Sequence, residues 1–253
     1  MLNIAFNTFR EIVRNKFLYM ILFFGFLFII FSLVLGQLTL WEDNKIIVDF
    51  GLSMIEIFWL IGVLFVWSQL LFKEVDGKTI FLILSKPIGR YEFILWKFLG
   101  FSATIAIIVF FQSLLLLAVM LIKWIEIDHL IMMSLVFTFL KLEILLALVF
   151  FFSTIISNIL TVLVSMMIYF ASHSLSHVID MAISTKNAAL LYMTRGLELI
   201  FPPMQALNIK DVIGSFTNFW TLYFVQNTIY AIVYITVIMV LSVMIFNRKK
   251  FET

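Results

Sequence analysis

The sequence contains no cysteine, which excludes a disulfide framework, a thiolate metal site and a cysteine nucleophile. Glycine and proline are scarce, with nine and three residues. Charged residues make up only 13% of the 253 residues, whereas a soluble domain usually has about a quarter. Because 64% of the residues are hydrophobic, there is too little polar surface to coat a soluble globule. The composition predicts a protein embedded in membrane lipids, and the net charge of +2 gives no indication of nucleic acid as a partner.

Long apolar runs extend over the whole chain and do not alternate as the strands of a membrane β-barrel do. A helix rises about 1.5 Å per residue, so roughly 20 apolar residues cross a hydrocarbon core of ~30 Å. Six runs reach this length and predict an all-α membrane protein, with residues 1–253 forming a single domain. The predicted spans are residues 17–40, 51–72, 98–122, 131–156, 159–179 and 219–246.

Residues 1–16 show a different pattern, in which apolar residues recur at three- and four-residue steps. Phe6 and Phe9 belong to this apolar face, while Arg10 and Arg14 lie on the opposite face. A basic amphipathic helix of this kind lies in the headgroup plane of a membrane. The alternative is a simple cytosolic flank, but the regular spacing favours the interfacial helix.

The distribution of lysine and arginine predicts the orientation, since cytoplasmic segments carry an excess of both. With both termini in the cytosol, eleven such residues flank the inner ends of the spans and five lie outside. This N-in, C-in topology in a prokaryotic inner membrane is therefore the prediction. The outer residues are Lys45, Lys123, Lys186, Arg195 and Lys210.

The longest predicted cytosolic loop covers residues 73–97 and has an apolar middle, residues 80–84, between charged ends. Pro87 and Gly89 prevent one continuous helix, so the pattern predicts a short helix that ends near Ser85 and Lys86. A plain linker is the alternative, but a linker has no reason to expose an apolar middle. The loop therefore has the character of a docking element for a cytosolic partner.

The same loop resembles the cytosolic loop of ABC-2-type permeases, and within them the subgroup with the permease of nitrous-oxide reductase maturation. The first matching run reads Lys73-Glu74-x-Asp76-Gly77-x-Thr79. The second reads Leu84-Ser85-Lys86-Pro87-Ile88-x-Arg90-x-x-Phe93-Ile94-x-x-Lys97, with Gly89 where serine is more usual. The layout of an amphipathic helix, six spans, a long outer segment and a basic C-terminus is also similar.

The resemblance implies the fold of ABC-2 or type V exporter permeases and a second permease copy, as a homodimer or a heterodimer. It also implies two copies of a cytosolic ABC ATPase, which would hold the ATP and magnesium. Residues 2–17 would be the connecting helix, and the region from Glu74 to Arg90 would be the coupling helix. The implied coupling residues are Glu74, Asp76, Gly77, Thr79, Leu84, Ser85, Lys86, Pro87 and Arg90.

No enzymatic motif accompanies these features. Gly77-Lys78-Thr79 matches the end of a P-loop, but Phe72 occupies the position of its required first glycine. The sequence has no zinc-protease motif and no nucleophile elbow. We therefore predict a transporter subunit with no cofactor of its own, energised by a separate ATPase.

Ionisable residues inside the predicted spans indicate function by default, because each costs about 2.5–3.5 kcal/mol at the centre of the membrane on insertion scales. Glu56 is predicted either to line a translocation path or to reach the outer headgroups. Lys141 and Glu143 are two residues apart, about 200° around a helix, and cannot pair with each other. Counting from residues 157–158 places both in the outer third of the span, where reaching the headgroups is the favoured interpretation.

One further group of side chains has the spacing of a metal site. His173 and His177 are four residues apart and Asp180 follows three residues later, so the three share one side of a helix. A polar end of the fifth span is the favoured interpretation, because no further ligand is evident. The metal site remains the less favoured alternative.

The outer segment, residues 180–218, is too long for a hairpin. Apolar residues on both sides of Pro202-Pro203 predict two short interfacial or re-entrant helices. By resemblance the segment would cover the outer gate, and a purely structural plug is the alternative. For the whole chain, the alternative to an exporter permease is a non-transporting scaffold or mechanotransmitter driven by the same type of ATPase. A secondary transporter is disfavoured because most predicted spans have apolar middles.

Overall fold

The computed structural model describes residues 2–37, 43–76, 89–198, 200–202, 204–210, 213 and 221–248. Every regular element in these ranges is helical, which confirms the all-α prediction. The helices are α1 (Leu2–Val13), α2 (Lys16–Gln37), α3 (Asp43–Ile61), a π-helical segment (Gly62–Trp67), α4 (Ser68–Asp76), α5 (Arg90–Ile122), α6 (His129–Ser153), α7 (Asn158–Ser184), α8 (Ala188–Glu198) and α9 (Thr221–Arg248).

Six helical stretches in the described ranges are long and apolar enough to cross a membrane, as predicted. Two stretches begin earlier than predicted by the same amount: the third covers Tyr91–Ile122 and not residues 98–122, and the second covers Asn44–Phe72 and not residues 51–72. The predicted span of residues 51–72 left out the charged outer end, but a helix in the headgroup region tolerates such residues. The earlier start changes the depth of every residue on α3.

Helix α6 lies at the centre of the bundle. All its residues from Leu140 to Phe150 are buried, and it packs against α3, the π-helical segment, α5, α7 and α9. By contrast, about a quarter of the residues of α2, α7 and α9 are buried in the protein. These three helices therefore present most of their surface outward, as expected for helices in contact with lipid.

The π-helical segment continues α3 into α4 without a break, so residues 43–76 form one continuous rod. Trp59, near the end of α3, and Trp67, the last residue of the π-helical segment, pack edge to face with ring centroids 5.7 Å apart. Gly62 makes this packing possible, because a Cβ atom there would lie 2.8 Å from the Trp67 ring. Single π-helical turns inside α-helices are frequent at functional sites.

At the N-terminus, α1 packs against α5. The crossing point is Gly100, where a Cβ atom would lie 2.7 Å from the carbonyl oxygen of Ala5 and 2.9 Å from Cβ of Thr8. Thr8 and Ile12 are buried in this contact. The N-terminal helix is therefore attached to a membrane-spanning helix through its small and β-branched residues.

Candidate functional site

A group of polar side chains lies in the middle of the membrane-spanning region. Glu56 is near the middle of the stretch Asn44–Phe72, and Lys141 is the central residue of α6. Tyr169 and His173 are near the middle of α7. Three different helices therefore bring polar residues to a similar depth, at which water is normally excluded.

The carboxylate of Glu56 accepts hydrogen bonds from three side chains. Lys141 donates from Nζ to Oε1 over 2.5 Å, and the Tyr169 hydroxyl donates to the same oxygen over 2.6 Å. Lys210 donates to the other oxygen, Oε2. The Nε2 atom of His173 lies 4.0 Å from Oε1, and its ring centroid lies 4.8 Å from that of Tyr169. We call these five residues the Glu56 centre.

Burial makes these contacts energetically important. Glu56 is 6% exposed and Lys141 only 1% exposed, so neither charge is solvated by bulk water. A buried charge without a partner is strongly unfavourable, and removing one partner of a buried ion pair typically costs 3–5 kcal/mol. Lys141, Lys210 and Tyr169 take the place of water around the Glu56 carboxylate. The carboxylate in turn takes the place of water around the two lysine ammonium groups.

These contacts correct the interpretation in which Glu56, Lys141 and Glu143 reach the outer headgroups. Lys141 is at the midpoint of α6 and points to Glu56, and Glu143 is also buried, against Ser102 of α5. The earlier start of α3 moves Glu56 from the outer end to the middle of its span. The expectation that most spans have apolar middles fails at this point.

Lys210 reaches the centre from the outer segment and not from a membrane-spanning helix. Met204, Leu207 and Ile209 are buried just before it, so this part of the segment descends into the protein. Helix α9 holds the segment through two tyrosines. The Tyr223 hydroxyl donates to the carbonyl oxygen of Ala206 over 2.8 Å, and the Tyr234 hydroxyl donates to that of Ile200 over 3.1 Å.

Tyr169 and Lys210 are functional candidates that the sequence reasoning missed. A signal for Lys210 existed, since it is a single cation in an apolar stretch that follows two prolines. Tyr169 precedes His173 by one helical turn, which places both rings on one side of α7. Neither signal identifies Glu56 as the shared partner, because the contact joins residues far apart in the chain.

The proposed metal ligands do not assemble into a metal site. Within the described residues, no group of three or more His, Asp or Glu side chains is arranged to hold a metal ion. His173 lies beside Glu56, while His177 and Asp180 are exposed. The helical spacing of the three residues therefore does not bring them together with a further ligand.

Part of the predicted coupling loop, residues 77–88, lies outside the described residues, and with it Gly77, Thr79, Leu84, Ser85, Lys86 and Pro87. The backbone of Glu74 and Asp76 belongs to the end of α4, and that of Arg90 to the first turn of α5. The carboxylate of Glu92 accepts a hydrogen bond from the Gly89 N–H over 3.1 Å and fixes where α5 begins.

The connecting-helix residues lie on α1 with different surroundings. Phe9 is half-buried, whereas Phe6, Arg10 and Arg14 are exposed. Phe6 is 65% exposed, so most of its side chain lies outside the buried contact with α5. The apolar periodicity thus identified the helix, and Thr8 and Ile12 form its buried contact with α5.

Comparison with known proteins gives one family. A family model described as ABC-2 family transporter protein matches residues 2–251, which is nearly the whole chain. No curated protein shows significant similarity to the chain. The resemblance to the subgroup of nitrous-oxide reductase maturation therefore stays a prediction.

Proposed function

Because the chain belongs to the ABC-2 transporter family, we propose that it is the permease subunit of an ATP-driven exporter whose ATPase is a separate cytosolic protein. Members of this family are membrane components of transporters and generally work with such an ATPase. In the proposed assembly two permease copies bind two ATPase copies. Both termini face the cytosol of a prokaryotic cell, and the outer segment faces away from it.

The observation that best supports this proposal is the continuous rod formed by α3, the π-helical segment and α4. It ends at Asp76, within the predicted cytosolic loop of residues 73–97, and it carries Glu56 near the middle of the membrane. A displacement of the loop by the ATPase would therefore act directly on the helix that holds Glu56. The second end of the loop leads into α5, which also carries α1.

Glu56 then connects the rod to the outer segment through Lys210. If the rod moves, the carboxylate moves relative to Lys141 on the central helix α6. Whether the outer segment stays anchored then depends on whether Lys210 keeps its contact with the carboxylate. In this mechanism the Glu56 centre is the closed gate in the middle of the membrane. The ATPase supplies the energy needed to separate buried charges.

The experiment is co-expression with a candidate cytosolic ABC ATPase from the same genome, followed by purification through a tag on the permease. Reversing both charges that flank the loop, Glu74→Lys with Arg90→Glu, is expected to abolish co-purification and permease-dependent ATP hydrolysis. The matched control reverses two charges in the outer region, Lys186→Glu with Arg195→Glu, and is expected to leave the complex intact. Full association of the loop variant would contradict the proposal. Hydrolysis that responds to a protein partner without moving any solute would identify the scaffold instead.

A further inference from the structure

One face of α7 carries polar residues along its whole length. Thr161, Ser165, Tyr169, Ser172 and Ser176 follow one another at steps of three or four residues, so they lie within about 80° of each other on the helix surface. Thr161, Ser165 and Ser172 are at least nine-tenths buried. Mostly hydrophobic residues occupy the opposite, exposed face, and α7 packs against α6, the π-helical segment and α4.

Hydroxyl groups on this face behave differently from buried hydroxyl groups on α5 and α6. On α5, Thr104 and Ser113 donate to the carbonyl oxygens four residues earlier, and on α6 Thr138 does the same. Such a bond satisfies a hydroxyl within its own helix. By contrast, the hydroxyls of Thr161, Ser165, Ser172 and Ser176 have no hydrogen-bond partner in the described part of the chain.

Buried polar groups in proteins are nearly always hydrogen-bonded, to protein or to ordered water. Four unpaired hydroxyls on one helix face are therefore a systematic feature that needs a partner. The Tyr169 hydroxyl, on the same face, is the exception because it donates to Glu56. The Glu56 centre thus interrupts the row of hydroxyls in the middle, with Thr161 and Ser165 on one side and Ser172 and Ser176 on the other.

A cavity of about 340 Å³ adjoins the outer part of the row, between α7, the outer segment and α9. Its polar lining consists mainly of uncharged side chains that both donate and accept hydrogen bonds, and Glu198 is its charged member. This volume lies within the usual range of small-molecule sites. The main polar residues are Ser172, Ser176, Gln205, Asn227 and Tyr230.

We propose that the buried face of α7 lines a water-accessible polar pathway within each protomer, suited to small uncharged solutes with hydrogen-bond donors and acceptors and closed at mid-depth by the Glu56 centre. The cavity is the outer half of this pathway, and Thr161 and Ser165 line the inner half. Access of water to the pathway requires only this chain and no ATPase. The transport of a solute along the pathway, by contrast, rests on the proposed function.

The absence of cysteine allows a direct test by single cysteine substitution in the full chain, reconstituted in liposomes. A thiol in contact with water ionises and reacts, whereas a thiol in lipid does not. We expect Ser172→Cys and Ser176→Cys to react with a membrane-impermeant methanethiosulfonate, added outside, at least about tenfold faster than Ser174→Cys. Ser174 is the matched control, because it is an exposed serine on the opposite face of the same helix.

Thr161→Cys and Ser165→Cys are expected to react with the same reagent only when it is supplied on the cytosolic side. Their controls are Leu163→Cys and Met167→Cys on the exposed face, which should react more slowly. If Ser172→Cys and Ser176→Cys react no faster than Ser174→Cys, the pathway is overturned. If the inner pair reacts no faster than its controls from either side, the inner half of the pathway is overturned.

Two further readouts separate this inference from the proposed function. If Ser172→Cys reacts from the cytosolic side and Ser165→Cys from outside, the pathway stands and the proposed orientation is wrong. Among reagents of equal size, a hydroxyl-bearing uncharged one should reach Ser172→Cys faster than a cationic or an anionic one, each relative to its rate with free cysteine. A faster charged reagent would contradict the solute class.

Discussion

Two carboxylates lie at similar depths in the bundle, and their surroundings differ completely. Glu56 on α3 faces Lys141 of α6, together with Lys210 from the outer segment. Glu143 is two residues beyond Lys141 on α6 and lies against Ser102 of α5. In the described part of the chain no basic side chain pairs with Glu143, and its Oε1 atom has no hydrogen-bond partner.

The comparison shows that burial alone does not determine what a membrane carboxyl group does. Both residues are almost fully buried. Only Glu56 holds together separate regions of the chain, since its partners come from α6, α7 and the outer segment. Glu143 has local surroundings on two neighbouring helices, so its loss should affect little beyond them. The predictions below test this difference, from the largest expected effect to the smallest.

The largest effect is expected for Glu56→Gln compared with Glu143→Gln. Glu56→Gln leaves the buried Lys141 without its carboxylate and should lower the free energy of unfolding by about 3–5 kcal/mol. Glu143→Gln keeps the shape of the side chain and removes no ion pair, so its effect should stay within about 1 kcal/mol. Thermal unfolding of both purified variants in the same detergent measures the difference.

A second substitution checks the cause of the Glu56 effect. Lys141→Met introduced into the Glu56→Gln background removes the uncompensated buried charge and should restore part of the lost stability. Equal destabilisation by Glu56→Gln and Glu143→Gln would contradict the distinction between the two carboxylates. So would a Lys141→Met change that is simply additive with Glu56→Gln.

A smaller and more local effect is expected for Lys210→Met. Glu56 keeps Lys141 as a partner, but the outer segment loses its anchor in the membrane interior. Backbone amides of residues 204–210 should therefore exchange hydrogen about 100-fold faster, which corresponds to a local loss of about 2.7 kcal/mol. Hydrogen-exchange mass spectrometry in nanodiscs measures this rate.

Lys45→Met is the control for Lys210→Met, because Lys45 is an exposed lysine on the outer end of α3. It should leave exchange in residues 204–210 unchanged. If the amides of this segment exchange equally fast in the unsubstituted protein and in Lys210→Met, the ion pair does not anchor the outer segment.

The number of spans followed from the sequence because the hydrocarbon core imposes a minimum length on every apolar helix. The depth of Glu56 did not, since it depends on where α3 begins. Asp43 and Lys45 lie outside the predicted span of residues 51–72, but both belong to α3. The partner Lys210 could not be found by helical spacing, because the contact joins α3 to an irregular segment 154 residues away. Periodicity relates residues on one element, whereas the Glu56 centre is assembled from four.

The smallest effect is expected for Tyr169→Phe, which removes one hydroxyl and keeps the ring. This hydroxyl donates to the charged Glu56 over 2.6 Å, and a hydrogen bond to a charged group contributes about 1.5–3 kcal/mol. Tyr234→Phe is the matched control, because its hydroxyl donates to the neutral carbonyl of Ile200 over 3.1 Å and should contribute about 1 kcal/mol. Thermal unfolding should therefore rank Tyr169→Phe below Tyr234→Phe in stability. The reverse order would mean that the two lysines alone satisfy the Glu56 carboxylate, and that Tyr169 belongs to the row of hydroxyls on α7.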